Sequence, residues 1–120
     1  MDNKLPDGAK LKITYQGQVF ERSLFVGYLL DLSDGMPIFP ESRSKAILDG
    51  TADLALASVS KDGIGIEKIA EGEVAELRLG GKVVISSEKY GDVEVTLLAV
   101  RLNADESNFD QWITPEVRIP

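Results

Sequence analysis

The spacing of turn signals constrains this chain most. Asp-Gly recurs four times, at Asp7, Asp34, Asp49 and Asp62, and Gly80-Gly81 adds a fifth tight site. Glycine takes positive φ without steric cost, so each pair marks a hairpin turn or a helix end. The stretches between them are short, and most alternate apolar with polar residues, which is the period of a half-buried strand. Segments this short leave little room for long helices and predict antiparallel pairing through short connections.

Read in order, "AKLKITYQGQVFER" is a hairpin. Leu11, Ile13 and Tyr15 take one face, Lys10, Lys12 and Thr14 the other, and Gln16-Gly17 turns the chain. "SLFVGYLLDL" is apolar on both faces and reads as a third strand, with Gly27 marking a bulge or a close backbone approach. "LALASVSKDGIGIEKI" reads as a second hairpin turning at Asp62-Gly63. Its alanines and leucines favour helix, but Leu54, Leu56 and Ser58 alternate, and the Ile64/Ile66 strand needs a partner. "EVAELRLGGKVVISSE" has the form of a third hairpin closed by Gly80-Gly81, and "DVEVTLLAVRLN" is the longest strand. The tail, 103–120, reads as one short helical turn followed by an extended segment from Ile113, packing on the core or on a partner.

The expectation is an α+β chain, mainly β, in one globular domain spanning 1–120. About eight short strands form a strongly curved antiparallel sheet or a small partly open barrel, with one helix packed at an end. A two-sheet sandwich with the helix as a corner piece is the alternative.

That helix lies in "FPESRSKAILDG", which also holds Ser42-x-x-Lys45, the nucleophile spacing of one class of serine hydrolases. Those enzymes need further elements downstream, and neither Ser33-Asp34-Gly35 nor Gly80-Gly81-Lys82 supplies them. A helix accounts for every residue instead. Pro40 opens the first turn, Glu41 complements the dipole, Ile47 and Leu48 are placed to dock, and Gly50 ends it.

Composition narrows the function. The chain has no cysteine and no histidine, which removes thiol chemistry, thiolate metal sites and most triad or metal chemistry. An enzyme would need a carboxylate of raised pKa, a lysine of lowered pKa, or a partner's residues. No catalytic residue, metal ligand or cofactor is assigned, and catalysis is the less favoured reading. The aspartates read as turn formers, and the glycines match no phosphate or dinucleotide loop. The net charge is −7, divided as −2 over residues 1–60 and −5 over 61–120, with no basic stripe. That weighs against nucleic acid and anionic membranes. No apolar run reaches the length of a membrane span, and the opening residues lack a secretory apolar core, so a soluble cytoplasmic protein is expected.

The residues that stand out are apolar. Phe25 and Tyr28 fall on opposite faces of the third strand, and one of those faces requires a cover. Met36, Ile38 and Phe39 are apolar for an exposed connection. Phe109 and Trp112 share a face if the tail is helical. These seven are the candidate binding or interface residues, and they point to a non-enzymatic interaction module acting as a homodimer. A small-ligand-binding protein or an unusual histidine-free enzyme, with a cavity of the curved sheet lined by Tyr15, Tyr28, Phe39 and flanking carboxylates, is one alternative. An acidic inhibitor or immunity-like protein for a basic partner, using Glu67, Glu71, Glu73, Glu76 and Glu94, is another.

Overall fold

The computed structural model describes residues 4–33, 36–107 and 111–115. Its elements run β1 (Gly8–Tyr15), β2 (Gln18–Phe25), β3 (Leu29–Asp31), β4 (Met36–Ile38), a 3-10 turn (Pro40–Ser42) leading into α1 (Arg43–Asp49), β5 (Leu54–Ser60), β6 (Gly63–Lys68), β7 (Glu73–Arg78), β8 (Lys82–Ser87) and β9 (Gly91–Arg101). The chain is mostly β with one short helix, and the strands form two antiparallel sheets rather than a closed barrel. One sheet has the order β2-β1-β9-β8, the other β4-β3-β5-β6-β7.

Alternation builds the core. Leu11, Ile13 and Tyr15 of β1 and Val93, Val95 and Leu97 of β9 project from the four-stranded sheet. They meet Leu30, Leu54, Leu56, Ile64, Ile66 and Leu77 of the other sheet in one buried cluster. Burying side chains of this size stabilises by about 1.5–3 kcal/mol each, before conformational entropy is set against it. Tyr15 belongs to this core. Its hydroxyl donates to the Leu32 carbonyl, and its ring packs edge-on against Tyr90 at 5.1 Å and Phe20 at 6.0 Å.

Two places where the chain passes between sheets differ from the sequence reading. "SLFVGYLLDL" is not one strand: Ser23–Phe25 finish β2 in one sheet, and Leu29–Asp31 are β3 in the other. Gly27, at φ 97°, turns the corner between them, in a region that other residues enter only under strain. The segment around Gly80-Gly81 is likewise not a hairpin. β7 pairs with β6, whereas β8 pairs with β9. The crossing is held by backbone bonds from Leu79 N–H to Asp62, Gly80 N–H to Leu97 and Leu97 N–H to Gly81. The other two hairpins and the long β9 are as expected, with Leu54–Ser60 a strand.

The helix lies against the outer face of the five-stranded sheet. Leu29 and Ala55 are register partners, and with Ala46 and Ala52 they form a second buried cluster against which Ile38 and Ile69 pack. Pro40 opens the helical segment and Gly50 closes it in the left-handed conformation, as expected. Its docking residue is a different one. Ala46 faces the sheet, whereas Ile47 is 45% exposed and Leu48 86%. A small side chain permits close approach, and in a helix of seven residues that leaves the larger neighbours pointing outward.

Candidate functional site

Four of the seven residues singled out in the sequence line one seam between the sheets, where β2 turns into β3. Phe25 and Tyr28 are not on opposite faces. The corner at Gly27 folds Tyr28 back so that the rings meet edge-on at 5.7 Å. Tyr28 in turn meets Phe39 at 5.8 Å, and Phe25 meets Trp112 at 6.3 Å. Trp112, Phe25, Tyr28 and Phe39 thus form a continuous aromatic row. Met36 stands on the adjoining edge strand β4. Ile38 is separated from the row, because it packs under the helix. Phe109 lies outside the described residues.

The two ends of the row differ. At the tail end, Val100 and Ile113 exchange backbone hydrogen bonds, which brings Trp112 over the sheet. Beneath it lies Arg101, 1% exposed, its guanidinium 4.6 Å from the Phe25 ring centroid and 5.2 Å from that of Trp112. Nη2 of Arg101 donates to the Pro6 carbonyl at 2.8 Å. Burial lowers the guanidinium pKa and the Asp7 carboxylate raises it again, but arginine stays a cation in either case. Lys10 stands over Trp112 at 4.6 Å. The Phe25 ring also covers Gly8, where a Cβ would come within 2.5 Å of it. This end is closed and structural. At the other end Phe39 is 58% exposed and Met36 56%, and in the helix that follows Ile47 and Leu48 are exposed as well.

A second feature had no signal in the sequence. A groove of about 480 Å³ opens where Leu32, the helix exit, the end of β6 and the β8–β9 turn converge. Leu32, Leu54, Ile69 and Ile85 supply apolar lining, while Asp53, Lys68, Glu71, Ser87, Glu88 and Lys89 bring polar groups. Tyr15, Tyr28 and Phe39 do not line it. Asp53 is fixed by its backbone, its N–H donating to Leu30 and its carbonyl accepting from Ile69. Its Oδ2 accepts the Leu32 N–H at 2.8 Å.

Burial raises the Asp53 pKa above its ordinary 3.8. The Leu32 hydrogen bond lowers it, the Asp31 carboxylate raises it and Lys89 lowers it. Lys68 and Lys89 are both held above their ordinary value, by Glu71 and by the Tyr90 side chain respectively. Neither is therefore a neutral amine fit to act as a nucleophile or base.

Because Asp53 takes up a proton more readily in the folded chain than in the unfolded one, its ionisation opposes folding. Its effect on stability is most favourable below about pH 3.8 and declines as pH rises through the higher folded value. Asp53→Asn retains an acceptor for Leu32 N–H and removes the charge. Thermal melts should find this variant more stable than the parent at about pH 7, with the gap closing towards about pH 4. A gap independent of pH would contradict the assignment.

The glutamates proposed as an acidic face are divided between sheets. Glu71 and Glu73 pair with Lys68 at 2.7 and 3.5 Å, and Glu94 of β9 pairs with Lys82 of β8 at 3.3 Å. Among the described residues there is no cluster of potential metal ligands, and no helix is long and apolar enough to cross a membrane. Comparison with known proteins finds no matching family model, no matching curated protein and no matching solved structure.

Proposed function

We propose that this protein is a non-enzymatic interaction module that works as a homodimer, joined through the surface carried by residues 36–50. The observation that carries this reading is the exposure of Met36, Phe39, Ile47 and Leu48 within one fifteen-residue segment. Large apolar side chains concentrated like this mark an interface more often than a free surface.

Charge favours a second copy as the occupant. Within a chain of net charge −7, this segment carries two acids, Glu41 and Asp49, and two bases, Arg43 and Lys45. None of the four belongs to the salt bridges among the described residues. A two-fold contact is self-complementary, so such a pattern can bring the acids of one copy to the bases of the other. Repulsion between two acidic chains is also least where the local charge is zero.

The contact is face-on rather than strand to strand. Pro37, at the centre of the edge strand β4, has no N–H to donate, which blunts that edge against strand addition.

Sedimentation equilibrium at tens of micromolar protein is expected to give twice the chain mass of 13.1 kDa. Leu48→Glu should weaken the dimer at least about tenfold and leave monomer stability within about 0.5 kcal/mol, because the side chain touches little of its own chain. A parent protein that is monomeric under these conditions would refute the proposal.

A further inference from the structure

We infer that the groove at Asp53 is a binding site for a small organic cation, an aliphatic ammonium whose charged head meets the Asp53 carboxylate and whose apolar body lies on Leu32, Leu54, Ile69 and Ile85. The groove borders the proposed dimer surface, sharing Ile47 and Gly50 with it, but the inference does not rest on that surface. The groove, at about 480 Å³, has the size and make-up of a small-ligand site: an apolar bed with a few convergent polar groups.

One oxygen of the carboxylate serves the fold, and the other is left for a ligand. Oδ2 takes the Leu32 N–H, while no lysine or arginine nitrogen among the described residues lies within 4.0 Å of either oxygen. Neither lysine of the groove contacts the carboxylate: Lys68 is held by Glu71 and Glu73, and Lys89, over the Tyr90 ring at 5.3 Å, acts on Asp53 only through its charge from beyond ion-pair distance. The acids of the lining, Asp53, Glu71 and Glu88, outnumber its bases by one, and Asp31 adds to the negative field at Asp53. An anionic ligand would therefore meet repulsion, and a neutral one would leave the half-buried charge without a contacting cation. A cation removes that penalty.

Hydrocarbon burial supplies the rest of the affinity, at about 0.8 kcal/mol per methylene. The backbone bonds on both sides of Asp53 hold the carboxylate in place, so little ordering is needed on binding.

Titration of the full chain with n-hexylammonium, followed by backbone amide NMR, tests this directly. Saturable shifts are expected at Leu32, Asp53, Ile69 and Lys89. Hexanol should bind at least about tenfold more weakly and hexanoate more weakly still. Asp53→Asn, which keeps the Leu32 acceptor, should lose affinity by tenfold or more. Ala70→Trp, at an exposed position on the rim, should fill the groove and abolish the shifts without altering the fold. Equal binding of hexanol, undiminished binding to Asp53→Asn, or shifts spread over the acidic surface instead of the groove would each overturn the inference.

Discussion

Trp112→Ala should destabilise the protein by about 3 kcal/mol and lower Tm by about 10 °C, one of the two largest single-residue effects expected here. Trp112 is only half-buried, but it covers more than its own area. Its ring roofs Arg101, which is otherwise enclosed by Phe25 and the Pro6 carbonyl. Truncation removes two cation–π contacts, from Arg101 and Lys10, and admits water to a guanidinium ordered for a dry site. It also frees the tail anchored at Ile113. Trp112→Phe keeps a ring over the site and should cost less than half as much. Trp112 is the sole tryptophan, so its intrinsic fluorescence reports directly on this seam during chemical denaturation. If Trp112→Ala melts with the parent, the row is decoration and the tail is not part of the fold.

The second large effect is at Gly63, where Gly63→Ala should cost about 3 kcal/mol through overpacking. A Cβ at this position would fall on the Leu77 carbonyl oxygen and lie 3.1 Å from Arg78 Cα. Both are backbone atoms of the neighbouring strand, so relief requires β7 to move away from β6. The next residues, 79–81, carry the chain to the other sheet, and Leu79 N–H bonds to Asp62 beside the clash. Gly65→Ala is the matched comparison. There the nearest atoms are side-chain atoms of Ser58 and Val74, which can yield, so the cost should stay below about 1.5 kcal/mol. Equal costs at the two glycines, measured by urea denaturation, would contradict this account of the β6–β7 contact.

The sequence was most legible where structure is local. Leu11, Ile13 and Tyr15 alternate because β1 is wet on one face, and Gln16-Gly17 closes the hairpin next door. The misreadings share one cause. A glycine pair tells where a chain can turn, and nothing in it names the strand that follows as a partner. At Gly80-Gly81 the following strand joins the other sheet, and at Gly27 a single apolar run is divided between sheets. The helix misled for a related reason: Ile47 and Leu48 are the larger apolar residues, but Leu29 and Ala55 leave room for Ala46.

The candidate site divides in the same way. The aromatic residues could be named one by one because large apolar side chains in a polar context are conspicuous. Their assembly into a row depends on the corner at Gly27 and on the Val100–Ile113 bridge, which alternation does not encode. Nothing in the alternation of β9 marks Arg101 as buried, because Phe25, far from it in sequence, Trp112 of the tail and the Pro6 carbonyl enclose it only in the folded chain. Asp53 is one of the aspartates that read as turn formers. Its burial arises from Leu32, Ile69 and the β8–β9 turn, which are separated along the chain and meet only in three dimensions.

The claim that residues 36–50 join two copies is tested most directly by the distance between them. Because the chain has no cysteine, Ser44→Cys places one nitroxide label at an exposed position of α1. In pulsed dipolar spectroscopy the parent background should give a single short inter-label distance. A label at Ser60→Cys, at the far end of β5, should give a longer one, and Leu48→Glu should abolish both signals. The absence of dipolar modulation from the Ser44→Cys label at concentrations where the chain is folded, or a shorter distance at Ser60 than at Ser44, would contradict the proposed interface.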